Sequence, residues 1–370
     1  MKLRYIVAVG VFFSLASAVW AQKIKIGNYR FKDGGEYLGE LVKGKPNGRG
    51  RTVYKNGDIY DGEYVKGKRQ GFGVYTFPDG EKYEGQWFMD QQHGKGAYYF
   101  MNNNRYEGFW FKDYQQGEGT MYYYNGDVYV GNWRGDMREG QGTYTFAGGA
   151  YYKGDWANDQ KNGRGVFDWN DGSVYDGMWR DNMRNGKGTF YYSDGDIYTG
   201  EWKDDIQHGK GIYKFHNGDV YEGDYVSGER TGEGVFTFAN GNKYTGAFKA
   251  GEQDGKGTYT WSTGASYTGD WVANRREGQG KYTWSNGDVY EGQWKRGEMD
   301  GEGILRLADG SKFRGQFKNG MKNGPGVLVD KDGNRFEGEF KDDERHGPYV
   351  LKDKNGNVIS KGRYEHGVRK

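Results

Sequence analysis

The sequence contains no cysteine. Disulfide bonds, thiolate metal sites and lipid attachment through cysteine are therefore excluded. Hydrophobic residues are also scarce, at 34% of 370 residues, whereas glycine occurs 68 times. A chain of this composition cannot fill a thick globular core, yet its 18% aromatic content is too high for a disordered segment. The apolar area must be carried by tyrosine, tryptophan and phenylalanine.

The N-terminal residues have the pattern of a targeting signal. Lys2 and Arg4 precede the apolar run Ile6 to Leu15, and small residues suited to a signal peptidase follow. About 20 apolar residues are needed to span a bilayer, so this run favours export over a membrane anchor. We expect cleavage after Ala21, which gives a signal peptide over residues 1–21. The mature protein is then periplasmic, displayed on the cell surface or secreted.

The chain also lacks a large net charge of either sign. Without residues 1–21 the chain carries 51 basic and 51 acidic residues. A neutral chain argues against nucleic acid, or a strongly anionic membrane, as the main partner. We therefore expect no nucleic-acid partner.

What the sequence does contain is a repeat. From Tyr37 onward it repeats every 23 residues, fourteen times, without insertion or deletion. Each unit opens with an aromatic residue and a glycine two positions later, as in Tyr60 and Gly62. Thirteen of the fourteen units later carry Gly-x-Gly, as at Gly71 and Gly73, and the last has Gly347 followed by Pro348 and Tyr349. A fixed period of this size marks an array in which each unit becomes stable only by stacking on its neighbours.

The alternation of residues within a unit predicts two strands. In residues 129–133, Tyr-Val-Gly-Asn-Trp, apolar residues or glycine alternate with variable ones, which is typical of a strand with one buried face. The second half repeats this pattern at Gly140, Gly142 and Tyr144. Each unit is thus predicted to be a β-hairpin with one aromatic face. The seventh residue after the opening aromatic is always Gly, Asp or Asn, which predicts a left-handed turn residue there.

The link between hairpins reads Asn-Gly or Asp-Gly in most units, as at Asn56-Gly57. This pair first suggests a two-residue type I′ turn. That turn would place Phe146 and Tyr152, six residues apart, on opposite faces. A three-residue loop with a left-handed glycine and a bulge keeps both rings on one face, and we expect it wherever the glycine is present.

The predicted fold is all-β: an elongated, twisted, single-layer antiparallel β-meander of about 28 strands. The glycines leave gaps on the aromatic face, and we expect neighbouring rings to lie flat across them.

The Tyr-x-Gly-x-Trp start and the Gly-x-Gly-x-aromatic second half, at a period of 23, resemble the MORN repeat. The resemblance covers an array over residues 37–347, with an N-terminal half-repeat cap at 22–36 and a C-terminal cap at 348–370, where the last strand has slipped register. It implies β-hairpin repeats used for dimerisation, for tethering to membranes or cytoskeleton, and for phosphoinositide contact.

No group of residues breaks the repeat as a catalytic site would, so we expect no enzyme activity, no cofactor and no metal site. His93, His208 and His346 share one slot, directly before Gly-x-Gly, where other units carry polar residues. A polar turn residue explains this slot better than a metal ligand. The Asp194-Gly195-Asp196 cluster suggests calcium, but it lacks further oxygen ligands and turn chemistry explains it.

A tryptophan ladder is the one feature with binding potential. If the sheet coils so that this face lines a groove, the indoles can stack on sugars, a peptide or acyl chains. The alternative, which we favour for most rings, is that they pack on each other and on glycine. The candidate binding-groove residues are Trp87, Trp110, Trp133, Trp156, Trp179, Trp202, Trp271 and Trp294.

Three functions remain open. The first is an exported, non-catalytic scaffold that binds a protein partner or itself. The second is a cell-wall or glycan-binding module with an aromatic groove. The third is peripheral binding to membrane lipid, suggested by recurring basic residues such as Arg49, Lys95, Arg164 and Lys256, which we expect to lie beside acidic residues of the preceding strand.

Overall fold

The computed structural model describes residues 24–370, so the predicted signal peptide at 1–21 lies outside the described residues. Residues 24–370 form 31 β-strands and no helix. Consequently they contain no apolar helix of the length required to cross a bilayer. The chain divides into two units, the first ending at Met137 and the second beginning at Arg138.

The first unit is an antiparallel meander of ten strands, in which each strand pairs with its neighbours in the chain. The strands are β1 (Lys25–Arg30), β2 (Glu36–Val42), β3 (Lys45–Val53), β4 (Ile59–Val65), β5 (Lys68–Thr76), β6 (Lys82–Phe88), β7 (Gln91–Tyr99), β8 (Arg105–Phe111), β9 (Tyr114–Tyr122) and β10 (Val128–Arg134).

The second unit continues the same pattern, again with antiparallel neighbours throughout. Its strands are β11 (Met137–Thr145), β12 (Tyr151–Ala157), β13 (Gln160–Asp168), β14 (Val174–Arg180), β15 (Met183–Tyr191), β16 (Ile197–Lys203), β17 (Ile206–Lys214), β18 (Val220–Val226), β19 (Glu229–Thr237), β20 (Lys243–Lys249), β21 (Glu252–Thr260), β22 (Ser266–Val272), β23 (Arg275–Thr283), β24 (Val289–Lys295), β25 (Glu298–Arg306), β26 (Lys312–Lys318), β27 (Met321–Val329), β28 (Arg335–Lys341), β29 (Glu344–Lys352), β30 (Val358–Glu365) and β31 (Val368–Arg369).

The predicted all-β meander is confirmed. The fourteen repeats supply the 28 strands from β2 to β29, and β1 is the expected lone starting strand. At the other end, the register shifts between Leu351 and Lys352, which is the slip predicted for the last strand. The sequence did not predict β31.

Two kinds of turn connect the strands. Between hairpins the three-residue loop is confirmed: Phe238 N–H donates to Asn242 O at 2.9 Å, and Gly241, at φ +86°, donates to Phe238 O. Within a hairpin the turn has two residues with positive φ, as in Ser227 at 51° and Gly228 at 83°. This is the type I′ pattern. The second of these residues was predicted to be left-handed, but the first was not, because its identity varies among the units.

The first glycine of Gly-x-Gly lies at a β-bulge. One step along β16, from Gly200 to Glu201, corresponds to three steps along β17, from Gly211 to His208. Gly209, within this bulge, has φ +63°. The glycine is therefore required by its backbone conformation. Ring packing, which the sequence predicts for this glycine, is therefore not its main requirement.

The second glycine of Gly-x-Gly follows the predicted packing. The ring of Tyr244 lies across Gly246 and Gly257, and a Cβ at Gly257 would be 2.3 Å from Tyr244 Oη. Opening rings in this slot are almost fully buried, with Tyr244 at 0% exposed. The tyrosine hydroxyl donates to Ala247 O at 2.9 Å, so the ring covers glycine and its polar end is satisfied.

Gly257→Ala is expected to lower the free energy of unfolding by about 1 to 3 kcal/mol, because the added methyl group displaces the buried ring of Tyr244. Gly148→Ala is the matched control. A Cβ there meets no atom within 4 Å, so the change should stay within about 0.5 kcal/mol. Denaturant unfolding of both variants measures the difference. Equal stabilities would show that the rings do not require bare glycine.

Candidate functional site

Each ladder tryptophan lies in a box of aromatic rings. Trp271 meets Tyr244 and Tyr267 edge to face, at centroid distances of 5.3 and 5.2 Å, and Tyr259 at 6.2 Å. Its indole Nε1–H donates to Gly257 O at 3.2 Å. Edge-to-face pairs and a satisfied indole N–H are what a buried tryptophan needs. We call this side of the sheet the ring face.

Cations cover several indoles. Arg276 lies 4.4 Å from the ring centre of Trp294, and Lys161 lies 4.0 Å from that of Trp179. Burial lowers the pKa of Lys161 to about 8. Both cations lie nine residues after the opening aromatic of the preceding unit. The same position holds a cation over three more ladder rings: Arg69 over Trp87, Arg138 over Trp156 and Arg184 over Trp202. In the units before Trp110, Trp133 and Trp271 this position is glutamine: Gln92, Gln115 and Gln253.

All eight ladder indoles are therefore packed, with exposed fractions between 4% and 6%. The structure brings each of them against neighbouring tyrosines, but it leaves almost no indole surface for a ligand. In the first unit, Trp87 contributes to the wall of a cavity of about 470 Å³, beside Phe88 and His93. The covering cations recur with the 23-residue period. This recurrence is the pattern in the sequence from which the covering of the indoles could have been predicted.

The turn carboxylates are also satisfied. Asp196 accepts hydrogen bonds from Tyr213 Oη at 2.7 Å, from His216 N at 2.8 Å and from His216 Nδ1 at 3.0 Å. Burial of Asp196 would raise its pKa, but these hydrogen bonds outweigh it and the pKa lies below the usual range. Asp194 meanwhile accepts from Asp196 N at 3.0 Å, so Asp194 acts within its own turn, whereas Asp196 links this turn to the next unit.

The histidines do not form a recognisable metal centre. The rings of His346 and His366 lie 5.5 Å apart, a proximity that the sequence did not predict. Within residues 24–370, no three His, Cys, Asp or Glu side chains are grouped to hold a metal ion.

A concave surface lies on the opposite side of the sheet in the second unit. Because side chains alternate along a strand, the residues next to each ladder ring point to this second side, which we call the groove face. A cavity of about 1000 Å³ spans the groove face from Arg164 in β13 to Thr245 in β20. Its β-branched lining residues are Thr189, Thr199, Ile212, Val235 and Thr245, and its other walls carry charged side chains and glycine backbone.

Charges on the groove face are mixed, and several of them are paired. Lys210 Nζ lies 2.6 Å from Asp224, and Lys256 Nζ lies 2.5 Å from Asp270. These acids belong to the following strand, so the expected pairing with the preceding strand is wrong for these two lysines. Acids of the preceding strand instead accept from the backbone at the bulge, as Asp155 does from Arg164 N at 2.8 Å. The bulge redirects these acids to backbone donors.

Comparison with known families explains this architecture. The MORN repeat model matches fourteen consecutive 23-residue blocks, the first at residues 37–59 and the last at 336–358. The chain belongs to the MORN repeat family. MORN repeat proteins are generally non-catalytic, and family membership together with the all-β fold indicates a repeat-based interaction scaffold. A comparison with curated proteins found no match.

Two solved structures that resemble this MORN protein are distant likenesses. The SAS-4 (dCPAP) TCP domain of Drosophila melanogaster, in complex with a proline-rich motif of Ana2 (dSTIL), is 15% identical and has a TM-score of 0.28, with 42% of this chain and 85% of that chain covered. The TCP10 domain of Danio rerio CPAP, with a STIL peptide, is 11% identical and has a TM-score of 0.27, with 60% and 88% covered. Both TM-scores are too low to transfer a partner or a function.

Proposed function

We propose that this MORN protein is an exported, non-catalytic scaffold that binds a partner protein on the groove face of its second unit. The observation that carries the proposal is the cavity between Arg164 and Thr245, because concave surfaces with apolar and polar lining residues are where proteins hold ligands. The groove crosses the eight strands from β13 to β20, roughly 30 Å at the usual strand spacing. A segment of a partner protein fits a surface of this length.

The chemistry of the groove favours a polypeptide. Its β-branched residues provide small apolar contacts, while paired charges such as Lys210 and Asp224 lie alongside and provide polar ones. Apolar contacts at the centre of a patch with polar groups around them are typical of protein interfaces. The glycan-binding alternative requires accessible indole faces, and the ladder indoles are buried. The membrane-lipid alternative is favoured by unpaired cations, and three of the recurring cations, Arg164, Lys210 and Lys256, are paired with acids.

Ile212→Arg is expected to reduce binding of the partner at least about tenfold, because it places a charge among the β-branched residues of the groove. Ile206→Arg, on the same strand β17, is the matched control: Ile206 is exposed and does not line the cavity, so binding should persist. A photo-crosslinking residue in place of Val235, which lines the cavity, or of Ile206, which does not, identifies the partner of the tagged protein in the cell envelope.

The proposal expects one protein to be captured from position 235 in the exported fraction and to be lost when Ile212→Arg is added to that chain. Equal capture from both positions would contradict groove binding, and a tagged chain that stays in the cytoplasm would contradict export. Retention on peptidoglycan or polysaccharide that Ile212→Arg leaves unchanged would favour the glycan alternative. Flotation with anionic liposomes that persists at high salt would favour the membrane alternative.

A further inference from the structure

One acidic position on the groove face has an ion-pair partner in every repeat but one. The residue directly after the opening aromatic is an acid in seven of the fourteen repeats. The seventh acid, Glu222 in β18, is exposed and forms no ion pair within the described residues. The other six each form an ion pair with a lysine or arginine: Asp61, Glu84, Glu107, Asp176, Glu291 and Glu337.

The strands beside Glu222 explain why its carboxylate is left without a partner. The register sets Ile212 of β17 on one side of Glu222 and Val235 of β19 on the other. In the first repeat the residue opposite the equivalent acid is a cation: Arg51 lies opposite Asp61 and pairs with it at 3.8 Å. Both neighbours of Glu222 are therefore apolar at the place where a cation pairs with the acid elsewhere.

Two lysines of β17 flank Ile212, and neither of them pairs with Glu222. Lys210 lies 2.6 Å from Asp224, so its charge is already matched. Lys214 is exposed to solvent and, among residues 24–370, forms no ion pair with Glu222. The carboxylate of Glu222 thus stands beside apolar side chains with its charge unmatched.

A second acid in the same cavity is also unmatched. Glu233, two residues before Val235 on β19, lies opposite Ala247 and forms no ion pair in the part of the chain that the structure describes. At the same position of the next repeat, Lys256 lies opposite Asp270 and pairs with it at 2.5 Å. Here the order of charges is broken, because an acid replaces the lysine and alanine replaces the opposing acid.

The cations that line this cavity each have an acid beside them. Arg164 lies 3.5 Å from Asp176, and Lys187 stands opposite Glu201 in the register of β15 and β16. Lys210 pairs with the acid of the following strand. Charge is therefore balanced along the part of the groove built by β13 to β17, and the part built by β18 to β20 carries an excess of negative charge.

We propose that the groove takes a partner segment in which a lysine or arginine lies next to small apolar residues. The cation pairs with Glu222 and Glu233, and the apolar residues contact Ile212 and Val235. This inference rests on the groove binding proposed above and names the chemistry of the bound segment. Complementary charge decides partner choice and register more than it decides affinity, so the two acids select the segment that binds.

A polypeptide fits these features better than a small cation does. The cavity of about 1000 Å³ places its unmatched acids at one end and its β-branched residues beside and beyond them. A small cation uses only the acids, whereas an extended segment uses both parts of the groove. The same geometry gives Ile212→Arg a second effect: its guanidinium would stand opposite Glu222, as Arg51 stands opposite Asp61, and would occupy the acid.

Three synthetic peptides test the charge of the segment. A peptide of about nine residues matches the groove at roughly 3.3 Å per residue. The three labelled peptides alternate valine with lysine, with glutamine or with glutamate, and fluorescence anisotropy gives the affinity of the full chain for each. The lysine peptide should bind at least about tenfold more tightly than the glutamine peptide, and the glutamate peptide should bind most weakly. The difference should shrink as salt screens the charges.

Variants locate the preference. Glu222→Gln combined with Glu233→Gln should abolish the preference for lysine and leave the affinity for the glutamine peptide unchanged. The matched control combines Glu229→Gln with Glu298→Gln, which removes two exposed acids that do not line the cavity, and it should keep the preference. Ile212→Arg should weaken the glutamine peptide as well as the lysine peptide, because it fills the apolar part of the groove. Thermal melts check folding of each variant.

The outcomes separate this inference from the groove proposal. Equal affinity for the lysine and glutamine peptides, with both weakened by Ile212→Arg, would overturn the cationic segment and leave groove binding intact. A lysine preference that Ile212→Arg leaves unchanged would overturn groove binding instead, and a chain that binds none of the peptides would overturn both. Loss of the preference in the control pair would show an effect of net charge and overturn the role of the two acids.

Two further measurements exclude other occupants. Spermine should displace the lysine peptide only at a large excess, and displacement at equal concentration would make the occupant a small cation. Sedimentation of the natural chain should not depend on Glu222 and Glu233. Self-association that the double variant abolishes would make the occupant a second copy of this chain and would overturn a separate partner.

Discussion

Trp271→Ala should lower the free energy of unfolding by about 3 to 5 kcal/mol, the usual cost of removing a large buried ring. Trp271 is 6% exposed, and its contacts to Tyr244, Tyr259 and Tyr267 belong to two successive units. In a repeat array each unit is stabilised by its neighbours, so the loss of this ring weakens the interface between units as well as the hairpin. Denaturant unfolding at neutral pH measures the effect, and Trp156→Ala should behave similarly.

Two control variants separate ring packing from other effects. Trp271→Phe keeps a ring, as the natural Phe248 does in the same slot, and loses the indole hydrogen bond to Gly257 O, so about 1 kcal/mol should be lost. His208→Asn should cost under about 0.5 kcal/mol, because Asn185 occupies that slot one unit earlier. If the alanine variants keep full stability but lose ligand binding, the ladder is a binding groove and the scaffold proposal must give way to the glycan-binding alternative.

The hairpins could be predicted from the sequence because their determinants are local and repeated fourteen times. Phe146 and Tyr152 are six residues apart, and a two-residue loop between hairpins would have placed their rings on opposite faces. The loop between Phe238 and Asn242 has three residues, as predicted. The role of the first glycine in Gly-x-Gly could not be predicted in the same way. A glycine needed for positive φ, such as Gly209, and a glycine needed to admit a ring, such as Gly257, look identical in a sequence.

The candidate site shows a different limit. The position of Trp179 in the repeat predicted its face, but not whether that face is open. Whether a sheet bends toward its rings or away from them depends on small rotations at bulges and turns that residue identity does not specify. In the second unit the cavity lies on the groove face, at Ile212 and Val235, and the rings fill their own gaps. Lys161 lies over the indole of Trp179 in a hairpin whose register shifts at a bulge, and the bulge could not be predicted from residue identity.

Alkaline pH should unfold this protein steeply, beginning near pH 10. Burial raises the pKa of Tyr37 and of Tyr221 to about 12 in the folded chain. The pKa is raised, mainly by burial, for nine further opening tyrosines: Tyr60, Tyr83, Tyr106, Tyr152, Tyr175, Tyr198, Tyr244, Tyr267 and Tyr290. In the unfolded chain these phenols ionise near pH 10. The unfolded state then binds fewer protons than the folded state, so stability is complete below pH 10 and falls as pH rises toward the folded pKa values.

The slope of this alkaline transition measures how many rings must stay neutral. Each phenol that ionises only on unfolding adds about 1.4 kcal/mol per pH unit to the slope. Tyrosinate absorbance and far-UV circular dichroism, recorded together, should change in one step above pH 10. The triple variant Tyr244→Phe, Tyr267→Phe and Tyr290→Phe should have a shallower slope while it stays folded at neutral pH, because Phe313 and Phe336 already fill this slot at 2% exposure. Phenols that titrate near pH 10 while the strands persist would show that the opening rings are open to solvent, and the packing of ring over glycine would have to be abandoned.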